Sequence, residues 1–288
     1  MTPLSLEAPA KLNLSLRVVG RRPDGFHLLE TEMVLLELAD RLLLLPGATG
    51  LRVEAQPDEE VPVDRSNLAW SGLLVATAAP PDLACLTLEK RIPVGAGLGG
   101  GSSDAAAAWR LGRRASGLPE EATAVELDAL ARIGADVPFF AARTAAASVA
   151  GIGERITPLG APRPDHVLLV RPGFALSTAA VFAELGPGDL SRERSERNDL
   201  LAPALRLRPE LGDLMRLVSE AGGEPRLTGS GSTVFALSDD AERAASIAAA
   251  LRRSGVRVAE TRLRTRPAEI VELGEAALDA GASAPGMG

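Results

Sequence analysis

The sequence predicts a two-lobed α+β chain, and three observations carry that prediction. Apolar and polar residues alternate from Lys11 to Val18, the period of a half-buried strand. A strand, a glycine loop and a helix succeed one another between Leu86 and Trp109. A second glycine turn, Thr228 to Ser232, leads straight into an apolar run ending at Leu237. No internal repeat or low-complexity linker separates these features, and the lobe boundary is expected between residues 155 and 165.

Taken in order, Leu12, Leu14, Leu16 and Val18 form one face of the first strand, and Lys11, Asn13 and Ser15 form the other. Arg22-Pro-Asp-Gly25 is a turn sequence, and Phe26 to Leu38 resumes as strand, so the N-terminus reads as a hairpin. Asp40 to Leu45 and Leu51 to Ala55 flank Pro46-Gly47 and suggest a further antiparallel pair. Asn67 to Ala79 has helical spacing, and Leu86-Thr-Leu88 is the strand that enters the glycine loop. Glu121 to Ile133 is a helix stopped by Gly134. Asp136, before Val137-Pro138, reads by itself as the N-cap of a new helix. Val167 to Val170 is a buried strand, and Gly186 to Asp199, with its mixed charges, is expected to be a mobile loop. Leu211 to Ala221 is a helix, and Arg226 to Leu237 is the turn and strand already noted. Ser238-Asp-Asp-Ala241 caps a helix through Leu251. Val256 to Leu263 is the last strand, and the chain after Gly274 is expected to fray.

Composition removes several classes of function. With 46% hydrophobic residues the 288-residue chain can bury a large core, and no run of about 18 apolar residues suits a membrane helix. The N-terminus lacks the basic and apolar segments of a signal peptide, so a cytoplasmic location is expected. One cysteine, Cys85, permits no internal disulfide, and two histidines, His27 and His166, supply no structural zinc set. A net charge of -7 argues against a nucleic-acid partner. A small anion must therefore be held by a local site. Of the 31 basic residues only Lys11 and Lys90 are lysines. Where arginine is the default cation, a retained lysine suggests a task needing a compact ammonium. Lys90, after a short strand and beside Arg91, is equally well a chance survivor.

Pro93-Val-Gly-Ala-Gly-Leu-Gly-Gly-Gly-Ser-Ser-Asp104 is the most informative stretch. It joins a backbone nearly free of side chains to a helix start, whose unpaired N–H groups and positive dipole end suit a phosphate. Gly95, Gly97 and Gly100 spell a dinucleotide fingerprint, but Arg110 to Glu121 offers no second strand with its acidic end. Gly101 stands where a P-loop requires lysine. A flexible linker is the bland alternative, and the flanking strand and helix weigh against it.

Three segments together resemble the GHMP small-molecule kinases: Pro9-Ala-Lys-Leu-Asn-Leu14, Pro93 to Ala105, and Arg226-Leu-Thr-Gly-Ser-Gly-Ser232. The likeness spans residues 8 to about 237 in the expected order. Arg22-Pro-Asp-Gly-Phe-His27, the long form of the glycine loop and Gly134-Ala-Asp-Val-Pro138 narrow it to the branch acting on a cytidine-linked acceptor. The resemblance implies ATP-dependent phosphorylation of the 2-hydroxyl of cytidine-diphosphate-linked methylerythritol, in non-mevalonate isoprenoid synthesis. It also implies an N-terminal nucleotide domain of the ribosomal protein S5 domain 2 type over residues 1–160, a ferredoxin-like C-terminal domain over 161–288, and a cleft between them. A homoserine- or mevalonate-type kinase, or an inactive sensor on the same fold, stays open.

Carried over by position, the catalytic pair falls on Lys11 and Asp136. Asn13 falls beside the reacting hydroxyl, and the cytosine is expected against Phe26 and His27 with Phe182 on its other face. Phe26 stands where tyrosine is common in the family, and the chain has no tyrosine at all. The ATP site falls on Lys90, Pro93, Val94, Gly95, Ala96, Gly97, Leu98, Gly99, Gly100, Gly101, Ser102 and Ser103. Mg²⁺ is expected with the ATP, and Ser103 is a possible ligand that could equally be a helix-cap residue. Gly229 to Ser232 without the resemblance would be a plain connection.

Overall fold

The computed structural model describes residues 2–46, 50–57, 59–77, 84–163, 165–190 and 198–274. Its first sheet grows from a long hairpin, β1 (Leu4–Arg21) and β2 (His27–Pro46), closed by the Arg22–Gly25 turn. Register shifts between Pro9 and Lys11 and between Asn13 and Ser15 break the ladder on both sides of Lys11 and Asn13. Bulges of this kind re-aim side chains. They also end the expected common face at Asn13, since the Ser15 hydroxyl instead accepts from the Glu32 N–H at 3.2 Å.

β3 (Gly50–Glu54), α1 (Leu68–Thr77) and β4 (Ala84–Glu89) form a crossover unit with β3 and β4 parallel. The expected pairing of Asp40–Leu45 with Leu51–Ala55 does not occur. β4 lies between them, antiparallel to β2. The reason is apolarity. Cys85, Leu86 and Leu88 of β4 are buried and take the interior place, whereas β3 is half-exposed and fits the edge. Gly47 of the presumed turn lies outside the described residues, as do Ala78 and Ala79 at the expected end of α1.

α2 (Gly100–Ala115), α3 (Ala124–Ala131) and α4 (Val137–Ala141) follow the glycine loop. The alanine-rich face of α2 lets it lie close to its neighbours. Gly72 of α1 sits so near that a Cβ there would stand 2.0 Å from the Ala105 carbonyl oxygen. β5 (Ala146–Gly151) pairs with the first half of β2 and carries β6 (Arg155–Pro158) beside it; neither strand was anticipated.

The second sheet contains β7 (His166–Arg171), β8 (Arg226–Leu227), β9 (Val234–Ser238) and β10 (Arg257–Arg262) in the order β10-β7-β9-β8. Helices α5 (Thr178–Ala183), α6 (Leu201–Leu207) and α7 (Glu210–Glu220) precede β8, and α8 (Ala241–Arg253) precedes β10. This is the ferredoxin-like βαββαβ arrangement. Asp240 caps α8, its carboxylate accepting from the Arg243 N–H at 2.7 Å. Of the segment 186–199, residues 191–197 lie outside the described residues, as does the tail after Gly274.

Ala10 and Leu12 of β1, Ile92, Ala96 and Leu98 of the loop, Val167 and Leu169 of β7 and Phe235 of β9 bury one apolar seam between the sheets. A last strand, β11 (Val271–Glu272), returns from the second sheet to pair with β1 at Leu4 and Ser5. The strand pairings thus change sheet between β6 and β7, and residues beyond β10 cross back.

Candidate active site

The glycine loop is pinned from below and bare above. Ile92, Ala96 and Leu98 are buried in the seam, while Gly95, Gly97 and Gly99, which alternate with Ala96 and Leu98, have φ of 67°, 75° and 72°. Left-handed glycines alternating with residues of ordinary hand turn successive N–H groups to one side, forming a concavity for an anion. Gly99 is also the N-cap of α2, so the helix N-terminus continues it. The loop, Lys90 and Asp104 line a cleft of about 480 Å³, whose far wall is Glu60–Pro62, Ser66–Leu68 and Thr178. Those wall residues carry no motif, and sequence reading missed them.

Lys11 lies under the loop. Its N–H donates to the Leu98 carbonyl at 2.9 Å, its side chain is 4% exposed, and Nζ donates to Asn13 Oδ1 at 2.6 Å. Asp136 Oδ2 stands 3.2 Å from Nζ. Asp136 occupies the N-cap position of α4 but makes no cap hydrogen bond. Its carboxylate is turned to the ammonium instead. Asn13 is locked in turn: its amide donates to Thr31 Oγ1 at 2.8 Å, and its N–H to Thr228 Oγ1 at 3.1 Å. The second glycine turn closes the site from the other lobe. A Cβ on Gly229 would stand 3.5 Å from Lys11 Nζ, from Asn13 Oδ1 and from the Gly97 carbonyl oxygen.

Lys90 has a different setting. Its buried ammonium is held between Asp40 and Asp104, the latter at 2.8 Å. Asp40 Oδ1 also accepts the N–H groups of Arg91 at 2.5 Å and Ile92 at 2.7 Å. One ammonium thus ties the strand before the loop to the helix after it. Burial, and then the charge of Asp40, push Asp104 up to about 8 against the pull of Lys90. Burial disfavours the Lys90 ammonium, but Asp104 and Asp40 outweigh it and raise its pKa. Neither acid was picked out from the sequence, although Asp104 closes the quoted motif.

Ser102 lines the cleft, but Ser103 does not. Ser103 is 1% exposed and faces Leu6, Ala107 and Phe140 on the other side of α2. Burial between helix and sheet takes it away from the expected metal contact. Among the described residues no group of three or more His, Cys, Asp or Glu could hold a metal ion.

A second cavity of about 740 Å³ opens beside Ala135 and is lined by Arg21, Phe26, His27, Leu29, Ile152 and Phe182, among others. His27 and Phe182 stack on each other, ring centres 4.9 Å apart, whereas Phe26 is 60% exposed at the rim. Phe182 therefore meets His27, and the three rings do not form an open slot. Burial, and then Arg21, lower the His27 pKa, so its ring is neutral at pH 7.

The GHMP kinases N terminal domain pattern matches residues 67–143, and the GHMP kinases C terminal pattern matches residues 182–257. A protein of Methylobacterium radiotolerans named 4-diphosphocytidyl-2-C-methyl-D-erythritol kinase is 40% identical over 293 residues, covering 92% of this chain and 100% of that protein. A Nitrobacter winogradskyi protein of the same name is 39% identical over 268 residues, covering 82% and 86%. The chain belongs to the 4-diphosphocytidyl-2-C-methyl-D-erythritol kinase family of the GHMP kinases. A crystal structure of a 4-(cytidine 5'-diphospho)-2C-methyl-D-erythritol kinase matches with TM-score 0.72 and 38% identity, covering 90% of this chain and 98% of that one. Homoserine kinase from Cytophaga hutchinsonii matches with TM-score 0.65 but 16% identity, covering 94% and 98%, a likeness of fold alone. No helix among the described residues is long and apolar enough to cross a membrane.

Proposed function

We infer that this family member transfers the γ-phosphoryl group of ATP to the 2-hydroxyl of 4-(cytidine 5'-diphospho)-2-C-methyl-D-erythritol, a step of isoprenoid precursor synthesis carried out in the cytoplasm. The observation that carries the reading is the Asp136 carboxylate, turned from its cap position onto the Lys11 ammonium beside the glycine concavity. The relatives' shared name and identity over most of the chain support the acceptor.

The loop N–H groups and the α2 N-terminus receive the polyphosphate. Asp136 accepts the acceptor's hydroxyl proton while that oxygen bonds to the γ-phosphorus and the β,γ-bridging oxygen leaves with ADP. Lys11 holds the carboxylate in place and offsets charge gathering on the transferred group, and Asn13 orients the ammonium. His27 reads the edge of the base, and Phe26 and Phe182 supply ring contact. Mg²⁺ ordinarily takes one or two carboxylates plus substrate phosphates. It would enter on the nucleotide and offset the charge of the phosphates. ATP consumption with and without the cytidine-linked acceptor tests the reading. Turnover that depends on the acceptor, with a phosphorylated product, is expected. Turnover with homoserine or mevalonate in its place, or none with any, overturns it.

A further inference from the structure

Asn198 belongs to none of the three motif segments, yet it ties the last of them to β1. Its side-chain amide donates to the carbonyls of Leu227 and Gly229, both at 2.9 Å, the two residues flanking Thr228. Its Oδ1 accepts from the Leu200 N–H at 2.9 Å. The same dipeptide is hooked to β1: Asn198 bridges Leu16, the Asp199 N–H donates to the Leu16 carbonyl at 2.9 Å, and Asp199 Oδ2 accepts from the Val18 N–H at 2.8 Å. The turn so held touches both halves of the candidate chemistry. Thr228 takes the Asn13 N–H, Gly229 stands against the Lys11 ammonium, and Gly231 backs on the loop at Gly97.

We propose that Asn198 is a positioning residue which ties the second glycine turn to β1 and thereby fixes where Lys11 and Asn13 stand relative to the nucleotide loop. The inference rests on the kinase reading above. The side-chain hydrogen bonds of Asn198 go to Leu227, Gly229 and Leu200 and not to the loop or Lys11, so it acts through the turn at Thr228 and Gly229. Only a primary amide of this length spans two carbonyls one residue apart while accepting a third bond, and asparagine does so with a short, stiff side chain. A displacement of about 1 Å at reacting groups can cost on the order of 10²-fold in rate.

Asn198→Asp keeps the shape and the acceptor for Leu200 but sets an oxygen against two carbonyl oxygens. The assay is kcat per nucleotide-binding molecule, with the binding-competent fraction and Kd for ATP taken from calorimetry and unfolding followed alongside. The expected result is full binding stoichiometry, a Kd within about threefold of wild type, and kcat lower by about 30- to 100-fold. A residue serving the fold alone would lower the unfolding temperature or the competent fraction and leave kcat per competent molecule unchanged, which overturns the proposal. Should the aspartate variant not fold, Asn198→Ala decides in the same assay. The carbonyl it frees at Leu227 borders a cavity of about 410 Å³ that can admit water, and a kcat loss of about tenfold or more is expected. Failure of both variants to bind nucleotide makes Asn198 a fold residue and overturns the proposal. Wild type that binds ATP yet phosphorylates no acceptor overturns the kinase reading instead.

Discussion

Two glycines of the loop allow a controlled measurement, because their backbones match and their surroundings do not. Gly95 and Gly97 have φ of 67° and 75°, so alanine at either bears the same left-handed strain, about 1–2 kcal/mol. A Cβ on Gly95 meets nothing within 4 Å. One on Gly97 would lie 2.6 Å from the Gly231 carbonyl oxygen and 3.0 Å from that of Thr228, both backbone atoms that cannot rotate away. Forcing extra volume into a packed site costs about 1–3 kcal/mol. Gly97→Ala is therefore expected to cost about 2–5 kcal/mol and Gly95→Ala only the strain. Urea unfolding of both variants and wild type gives the difference, and calorimetry with ATP gives its functional counterpart. The Gly97 variant should also bind nucleotide more weakly, since the second turn is pushed off the loop. Equal costs for the two variants would refute the contact between the two glycine segments on which the site description rests.

Asp136→Asn is expected to lower kcat by about 10²- to 10⁴-fold with ATP affinity near wild type, and retention of more than about a tenth of kcat would remove Asp136 as the base. Phe26→Ala is expected to raise KM for cytidine and uridine acceptors alike, because any base can stack, whereas His27→Ala should erase the preference between them; kcat/KM for both acceptors in each variant decides. Asp104 stays protonated to about 8 in the folded chain and titrates near 4 when unfolded. Between those values the folded state holds the extra proton, so stability is lost as pH rises through that window. Asp104→Asn, neutral throughout, should flatten this part of the stability profile between about pH 5 and 8; parallel profiles for variant and wild type would show that Asp104 does not carry the proton.

The loop and Lys11 were legible because their chemistry is local. Alternating glycines before a helix are the property of one short segment and the scarcity of lysine is a plain count, and the structure sets Lys11 against the loop through its N–H bond to the Leu98 carbonyl. Asp136 was ambiguous, since a cap and a site residue share one sequence pattern, and only the fold shows its carboxylate beside Lys11 with no cap bond. What escaped depends on pairing between distant segments. The place of β4 between β2 and β3 follows from competition among strands for the interior, which no single window of sequence contains. Asp40 meets Lys90 across 50 residues, and Asn198 meets Leu227 across 29. The self-stacked His27 and Phe182 come from opposite lobes, and only their folded separation shows that they fill each other's space.

β1 contributes to three cores in succession: Leu4, Leu6 and Ala8 to that of the first sheet, Ala10 and Leu12 to the seam, and Leu16 and Val18 to that of the second lobe. One beam is thus embedded at both ends, with the Lys11 and Asn13 side chains at its midpoint. Jaws joined by a strap can swing, but this frame could open only by bending a paired strand where its ladder is already interrupted. Relative swinging of the two lobes is accordingly expected to be small. Heat would melt both family modules together, giving one calorimetric peak whose calorimetric and van't Hoff enthalpies agree.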